Sequence, residues 1–212
     1  MSQRWKTFER RHPLWTFILA MLIALSCSRP ALAADPQARV REMLEAVSAV
    51  MHDPQLQGAA HEGERKQRVR QIIFDTFAFD EMARIALGSH WTGLTSPQRT
   101  EFVGLFGNVF ERAYTRLVLR FLPERETTYG AATSTHPRAV VQTTLIVRKT
   151  NEQLPVDYRL IEKEQRWRVY DVVVDGISLA SNYRAQFDRI IRSSSYDTLV
   201  QKIKAQLAQA SS

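Results

Sequence analysis

RAVVQTTLIVRKTNEQLPVDYRLIEKEQRWRVYDVVVD, residues Arg138–Asp175, decides the fold class. Three runs rich in Val, Ile, Thr, Tyr and Trp, at Arg138–Lys149, Gln153–Glu162 and Arg166–Asp175, are separated by Thr150-Asn151-Glu152 and by a short turn at Glu164-Gln165. β-Branched and aromatic residues suit a half-buried pleated surface, and connections this short join antiparallel neighbours. The stretch therefore predicts a meander, to which a weaker run at Thr127–Thr133 adds a further strand upstream. Asp175-Gly176 then breaks the sheet.

Upstream of the sheet the apolar period is helical. Val40, Met43, Leu44, Val47 and Val50 predict a helix over Asp35–His52 with Pro36 in its first turn. HDPQLQGAAHEGER reads as a loop, and a second helix follows from about Glu64 to Phe77 with Val69, Ile72 and Ile73 inward. Asp80 is placed as the cap of a short third helix that Gly88 ends. Thr95-Ser96-Pro97-Gln98 forms a capping box with a proline in the first turn and opens a helix to about Phe121. Downstream, Ser178 opens a helix with Leu179, Tyr183, Phe187, Ile190 and Ile191 on one face, and Ser195 caps a last helix with Leu199, Val200 and Ile203 inward. Helices, then an antiparallel sheet of three to four strands, then helices make an α+β plan with one sheet face covered.

The helix after Thr95 is unusual in its breadth. At 100° per residue its apolar positions from Phe102 to Phe121 cover about 220°, against a stripe of roughly 100° on a surface helix. Such a helix is packed on two sides or lines an apolar cavity. Candidate wall residues are Phe102, Phe106, Phe110 and Tyr114 on this helix, Val141, Leu145, Val172 and Val174 on the strands, and Tyr183 and Phe187 on the helix after Ser178.

Composition bounds the rest. The chain has 212 residues, 44% apolar and 24% charged, with 8 Gly and 8 Pro, which fits one folded domain and excludes collagen-like, low-complexity and polytopic membrane classes. Its net charge of +7 is concentrated in a leader: residues 1–33 hold Arg4, Lys6, Arg10, Arg11 and Arg29 against Glu9 alone, leaving 24 basic and 21 acidic side chains of the 29 and 22 in the whole chain. No run of four consecutive Lys or Arg occurs, so no nucleic-acid partner is expected. The basic start, an apolar stretch over Leu14–Leu25 and Ala31-Leu32-Ala33 have the order of a cleavable secretory signal peptide, with cleavage after Ala33 and a single domain over residues 34–212. Ala24-Leu25-Ser26-Cys27 is the competing lipoprotein reading, in which Cys27 is acylated. Cleavage after Ala33 removes that only cysteine.

Catalytic and metal signatures are sparse. His52, His61, His90 and His136 are scattered, and the sequence holds no Walker loop, nucleophile elbow or dinucleotide fingerprint, so no metal, cofactor or catalytic residue is assigned. One enzymatic reading survives, with Asp171 or Asp175 as a buried general base. Alternating carboxylates on a late strand before a turn-forming glycine fit a structural role better.

Two stretches, FDTFAFDEMARIALGSHWTGLTSPQRTEFVGLF at Phe74–Phe106 and VVVDGISLASNYRAQFDRII at Val172–Ile191, resemble the signature segments of the MlaC family, also known as toluene-tolerance proteins. The HpnM hopanoid-associated sister group shares the pattern. The resemblance implies an NTF2-like α+β fold around an apolar pocket for acyl chains. It implies a non-enzymatic periplasmic carrier of phospholipid, or of hopanoid in the sister group, that supports outer-membrane lipid asymmetry. The partners it implies are an inner-membrane MCE-protein and ABC permease complex and an outer-membrane lipoprotein–porin complex. A pocket of about 1,000 Å³, the upper end of the usual range for ligand sites, is the expected size for two chains.

Overall fold

A computed structural model describes residues 35–209. The leader, its cleavage site after Ala33 and Cys27 lie outside the described residues. Six α-helices, α1 (Pro36–His52), α2 (Glu62–Thr76), α3 (Phe79–Leu87), α4 (Ser96–Phe121), α5 (Leu179–Ser193) and α6 (Tyr196–Gln209), flank strands β1 (Arg125–Thr135), β2 (Arg138–Val147), β3 (Gln153–Lys163), β4 (Arg166–Val174) and β5 (Ile177–Ser178). The strands form one antiparallel sheet in chain order. The expected α+β plan holds, with five strands instead of three to four. The extra one is a two-residue strand that pairs Val174 with Ile177 across Asp175-Gly176. Both turn residues have positive φ, 48° and 78°, the geometry that favours Asp-Gly in a tight hairpin.

Local signals set most boundaries. Asp35 accepts from the Gln37 amide at 3.1 Å to start α1. Thr95 and Gln98 cap each other's backbone at the start of α4, Ser178 accepts from the Ser181 amide, and Ser195 accepts from the Thr198 amide. The expected cap at Asp80 is corrected. Helix α3 begins at Phe79 without a side-chain cap, because the preceding segment is fixed from outside: Phe77 bridges to Val169 and the Ala78 amide donates to the Val169 carbonyl at 2.8 Å. Asp80 instead pairs with Lys163 at the end of β3. Gly88 ends α3 with φ +55°, and a Cβ there would meet the Arg184 Nε of α5 at 2.6 Å, so the glycine also admits the crossing of α3 and α5.

The helices lie against one sheet face. Ala139, Val141 and Leu145 of β2, Val156, Tyr158 and Leu160 of β3 and Trp167, Val169 and Val172 of β4 join Val40, Met43, Leu44 and Val47 of α1 and the aromatic ladder of α4 in one continuous core. The opposite face keeps Gln142 exposed and Thr144, Asp157 and Ile161 half-buried. Near the end of β4 a register shift opposite Arg159 and Leu160 turns Asp171 away from the core face, toward the start of α5. There the buried Asp171 accepts from the Ala180 amide at 3.0 Å and from the Ser178 hydroxyl at 2.6 Å, and it pairs with Arg159 at 3.3 Å.

Candidate functional site

The breadth of α4 is explained by packing on both sides. Phe102, Phe106, Phe110 and Tyr114 recur every fourth residue, so their rings form a ladder with successive centroids 6.0, 6.1 and 5.6 Å apart. Toward the sheet and α3, Phe77 lies 5.6 Å from Phe110 and 5.2 Å from Tyr114. Toward α5, Tyr183 meets Phe106 edge-on at 5.3 Å, and Phe187 meets Phe102 and Phe106 edge-on at 5.8 and 6.0 Å. Edge-to-face and offset rings are favourable geometries for aromatic pairs.

Beyond this ladder α4, α5 and α6 part to leave an apolar pocket of about 310 Å³. Four of the ten candidate residues line it: Phe110, Tyr114, Tyr183 and Phe187. Phe102 and Phe106 are fully buried behind them as backing. Val141, Leu145 and Val172 lie in the core on the sheet side, and Val174 packs against that core half-buried, so none of these four lines the pocket. The sequence reading missed Leu199 and Ile203 of α6 and Leu117 of α4 as wall residues. The periodicity of α6 marked Leu199 and Ile203 as inward without saying what they face. Leu117, 46% exposed, stands at the mouth of the pocket, and Asn182, Gln186 and Lys202 give it a polar rim.

One wall residue has a polar partner in the core. The Tyr114 and Tyr158 hydroxyls hydrogen-bond to each other inside the core. Burial pushes the Tyr114 phenol up to about 12, moderated by the bond from Tyr158, and pushes Tyr158 well above its ordinary value, so both stay neutral. Burial raises Tyr183 as well. Lys202 brings a charged group to the lining, and the aromatic side chains of the wall therefore stay neutral beside it. That chemistry suits a hydrocarbon guest.

A second, larger cavity lies elsewhere. A cleft of about 1030 Å³ runs between α2 and α4 and is lined mostly by charged side chains. The expectation of an apolar pocket near 1,000 Å³ is thus corrected: a space of that size is lined mostly by charged side chains, and the apolar pocket is about a third as large. Asp171 and Asp175 line neither cavity.

An antiparallel sheet with helices on one face and an aromatic-walled pocket among those helices defines an α+β domain with an internal apolar pocket. The MlaC protein family model matches residues 41–205, and the chain belongs to that family. Among solved structures, a phospholipid-binding protein from Ralstonia solanacearum, determined in complex with a phospholipid, is similar at 26% identity with a TM-score of 0.71, over 84% of this chain and all of that one. No curated protein matches the chain.

Proposed function

We infer that this chain is a non-enzymatic carrier that holds phospholipid acyl chains in the pocket between α4, α5 and α6. Phe110, Tyr114, Tyr183 and Phe187 supply the wall, and the head group stays near the polar rim. The observation that carries this reading is the aromatic-walled pocket in a chain of the MlaC family, whose fold is similar to that of a protein determined in complex with a phospholipid. Burial of a methylene gains about 0.8 kcal/mol, so two chains of about 16 carbons face a barrier on the order of 20 kcal/mol to cross water unaided. A protein pocket removes that barrier by replacing the bilayer's apolar contact.

At about 310 Å³ the pocket is at the low end for a ligand site. Loading by two chains then requires α5 and α6 to move outward from α4. The contacts of α5 on that side are largely aromatic and aliphatic, whereas α6 is also held to α4 by the Tyr196 hydroxyl on the Gln98 carbonyl, 3.2 Å, and by the Lys204–Glu101 pair, 2.7 Å, which such a movement has to break.

The leader order supports export, and the carrier reading places residues 34–212 in the periplasm. There the chain shuttles lipid between the outer-membrane lipoprotein–porin complex and the inner-membrane MCE-protein and ABC permease complex. Organic extraction of the purified protein followed by mass spectrometry tests this. Stoichiometric phospholipid is the expected result, hopanoid reassigns the cargo, and a lipid-free protein that takes up none from vesicles overturns the carrier. The intact mass of the same sample should begin at Ala34; an acyl group on Cys27 would replace the cleaved soluble form with an anchored one.

A further inference from the structure

The mouth of the apolar pocket is framed by polar side chains from two helices. Asn182 and Gln186 stand one turn apart on α5, and Lys202 and Gln206 one turn apart on α6, so each pair shares a helix face, and all four line the pocket. Gln186 Nε2 donates to Asn182 Oδ1 at 3.4 Å, a contact that links the two amides without adding charge. Among the described residues no Asp or Glu lines the pocket, and Lys202 is the one charged side chain that does. Lys66, Lys163 and Lys204 each pair with a carboxylate, whereas the exposed Lys202 is in no ion pair with a described residue. The rim therefore offers a cation and amide donors, and no anion.

Resting on the carrier reading, we propose that Lys202 determines which head group the pocket accepts: its ammonium pairs with the lipid phosphate, and the rim selects a phospholipid of net negative charge over a zwitterionic one or a phosphate-free hopanoid. A lysine stem lies along apolar surface while its ammonium stays in water. Leu199 and Ile203 of α6 are buried in the wall and Lys202 is exposed between them in sequence, so the ammonium falls at the boundary where an acyl chain gives way to its phosphate. A phosphatidylglycerol brings one negative charge for Lys202 and hydroxyls for the rim amides. A phosphatidylethanolamine brings a second ammonium beside Lys202, with no carboxylate in the lining to receive it. A hopanoid polyol leaves Lys202 without a partner.

Competitive uptake from vesicles holding phosphatidylglycerol, phosphatidylethanolamine and a hopanoid polyol in equal amounts tests this, with the bound lipids of the repurified protein identified by mass spectrometry. All three come from one vesicle, so the surface charge met by the protein is common to them. Phosphatidylglycerol should be enriched about threefold over phosphatidylethanolamine, the scale of a water-exposed ion pair, and the enrichment should shrink as salt rises. Lys202→Gln should bring the ratio to parity at unchanged melting temperature and total load, Lys202→Glu should take it below parity, and Lys202→Arg should keep it. Equal uptake by the unaltered protein, hopanoid uptake matching phosphatidylglycerol, or a ratio that Lys202→Gln leaves in place overturns the head-group assignment while the carrier reading stands. Uptake of none of the three overturns both.

Discussion

At the scale of single residues, Asp171 is a fastener. Its carboxylate holds the Ala180 amide, the Ser178 hydroxyl and Arg159 in one buried knot that ties β4 to the first turn of α5. Asp171→Asn keeps one acceptor and turns an amide group toward a donor, so a loss of about 2 kcal/mol is expected in urea unfolding. Asp175 sits in an exposed turn and Asn tolerates positive φ, so Asp175→Asn should leave the urea midpoint almost unmoved. The hairpin between β3 and β4 offers the opposite case. Glu164 and Gln165 both have positive φ, 51° and 61°, where side chains other than Asn, Asp and Gly are disfavoured. Replacing the pair by Asn-Gly should therefore raise stability by about 1 kcal/mol, read as a higher melting temperature. Phe110 and Leu117 separate folding from binding. Phe110 is 1% exposed among five other rings, so Phe110→Asp unfolds the protein and reports nothing about lipid. Leu117→Asp at the mouth should keep the melting curve and lower the co-purified lipid; an undiminished load would remove Leu117 from the acyl path.

At the scale of elements, α3 is joined to the sheet by charge as well as by packing. Glu81 is 8% exposed and accepts from Arg84 at 2.9 and 2.8 Å and from Arg138 of β2 at 2.7 Å. The Arg84 bonds first, and Arg138 after them, hold its carboxyl at about 2 against an ordinary 4.5, although burial opposes the shift. A depressed carboxylate stabilises the fold fully above pH 4.5 and loses that contribution as pH falls toward 2. Both guanidiniums are about half exposed, so solvent screening reduces the contribution to about 1–2 kcal/mol. Glu81→Gln should flatten the decline in urea midpoint between pH 5 and about pH 2; an unchanged slope would assign acid sensitivity to other carboxylates. The start of α3 also marks where local reading stopped. Thr95, Ser178 and Ser195 are caps whose partners lie three residues away, within the reach of sequence. The α3 boundary is set by Val169, some 90 residues on, so Asp80 looked like a cap with nothing local to contradict it. The four main strands were legible from β-branched runs and their turns, whereas β5 is too short for any period.

At the scale of the whole molecule, periodicity named the inward residues and left their partners open. Phe110 and Tyr114 were readable as candidates because an arc of about 220° on α4 exceeds what one sheet covers, and Tyr183 and Phe187 from the single apolar face of α5. The α6 contribution was not, because Leu199 and Ile203 look like any amphipathic stripe. The basic cleft was invisible for a related reason: its cations alternate with other residue types on two separate helices, so no run of charge betrays them. One consequence follows from α4 serving as the wall of both cavities. Glu111, Thr115 and Leu119 face the cleft, while Phe110, Ala113 and Leu117 of the same turns face the pocket. A rigid rod between two chambers cannot lean into one without withdrawing from the other. Any guest that displaces α4 on one flank therefore alters affinity on the opposite flank, and thermodynamic reciprocity makes the factor identical in both directions.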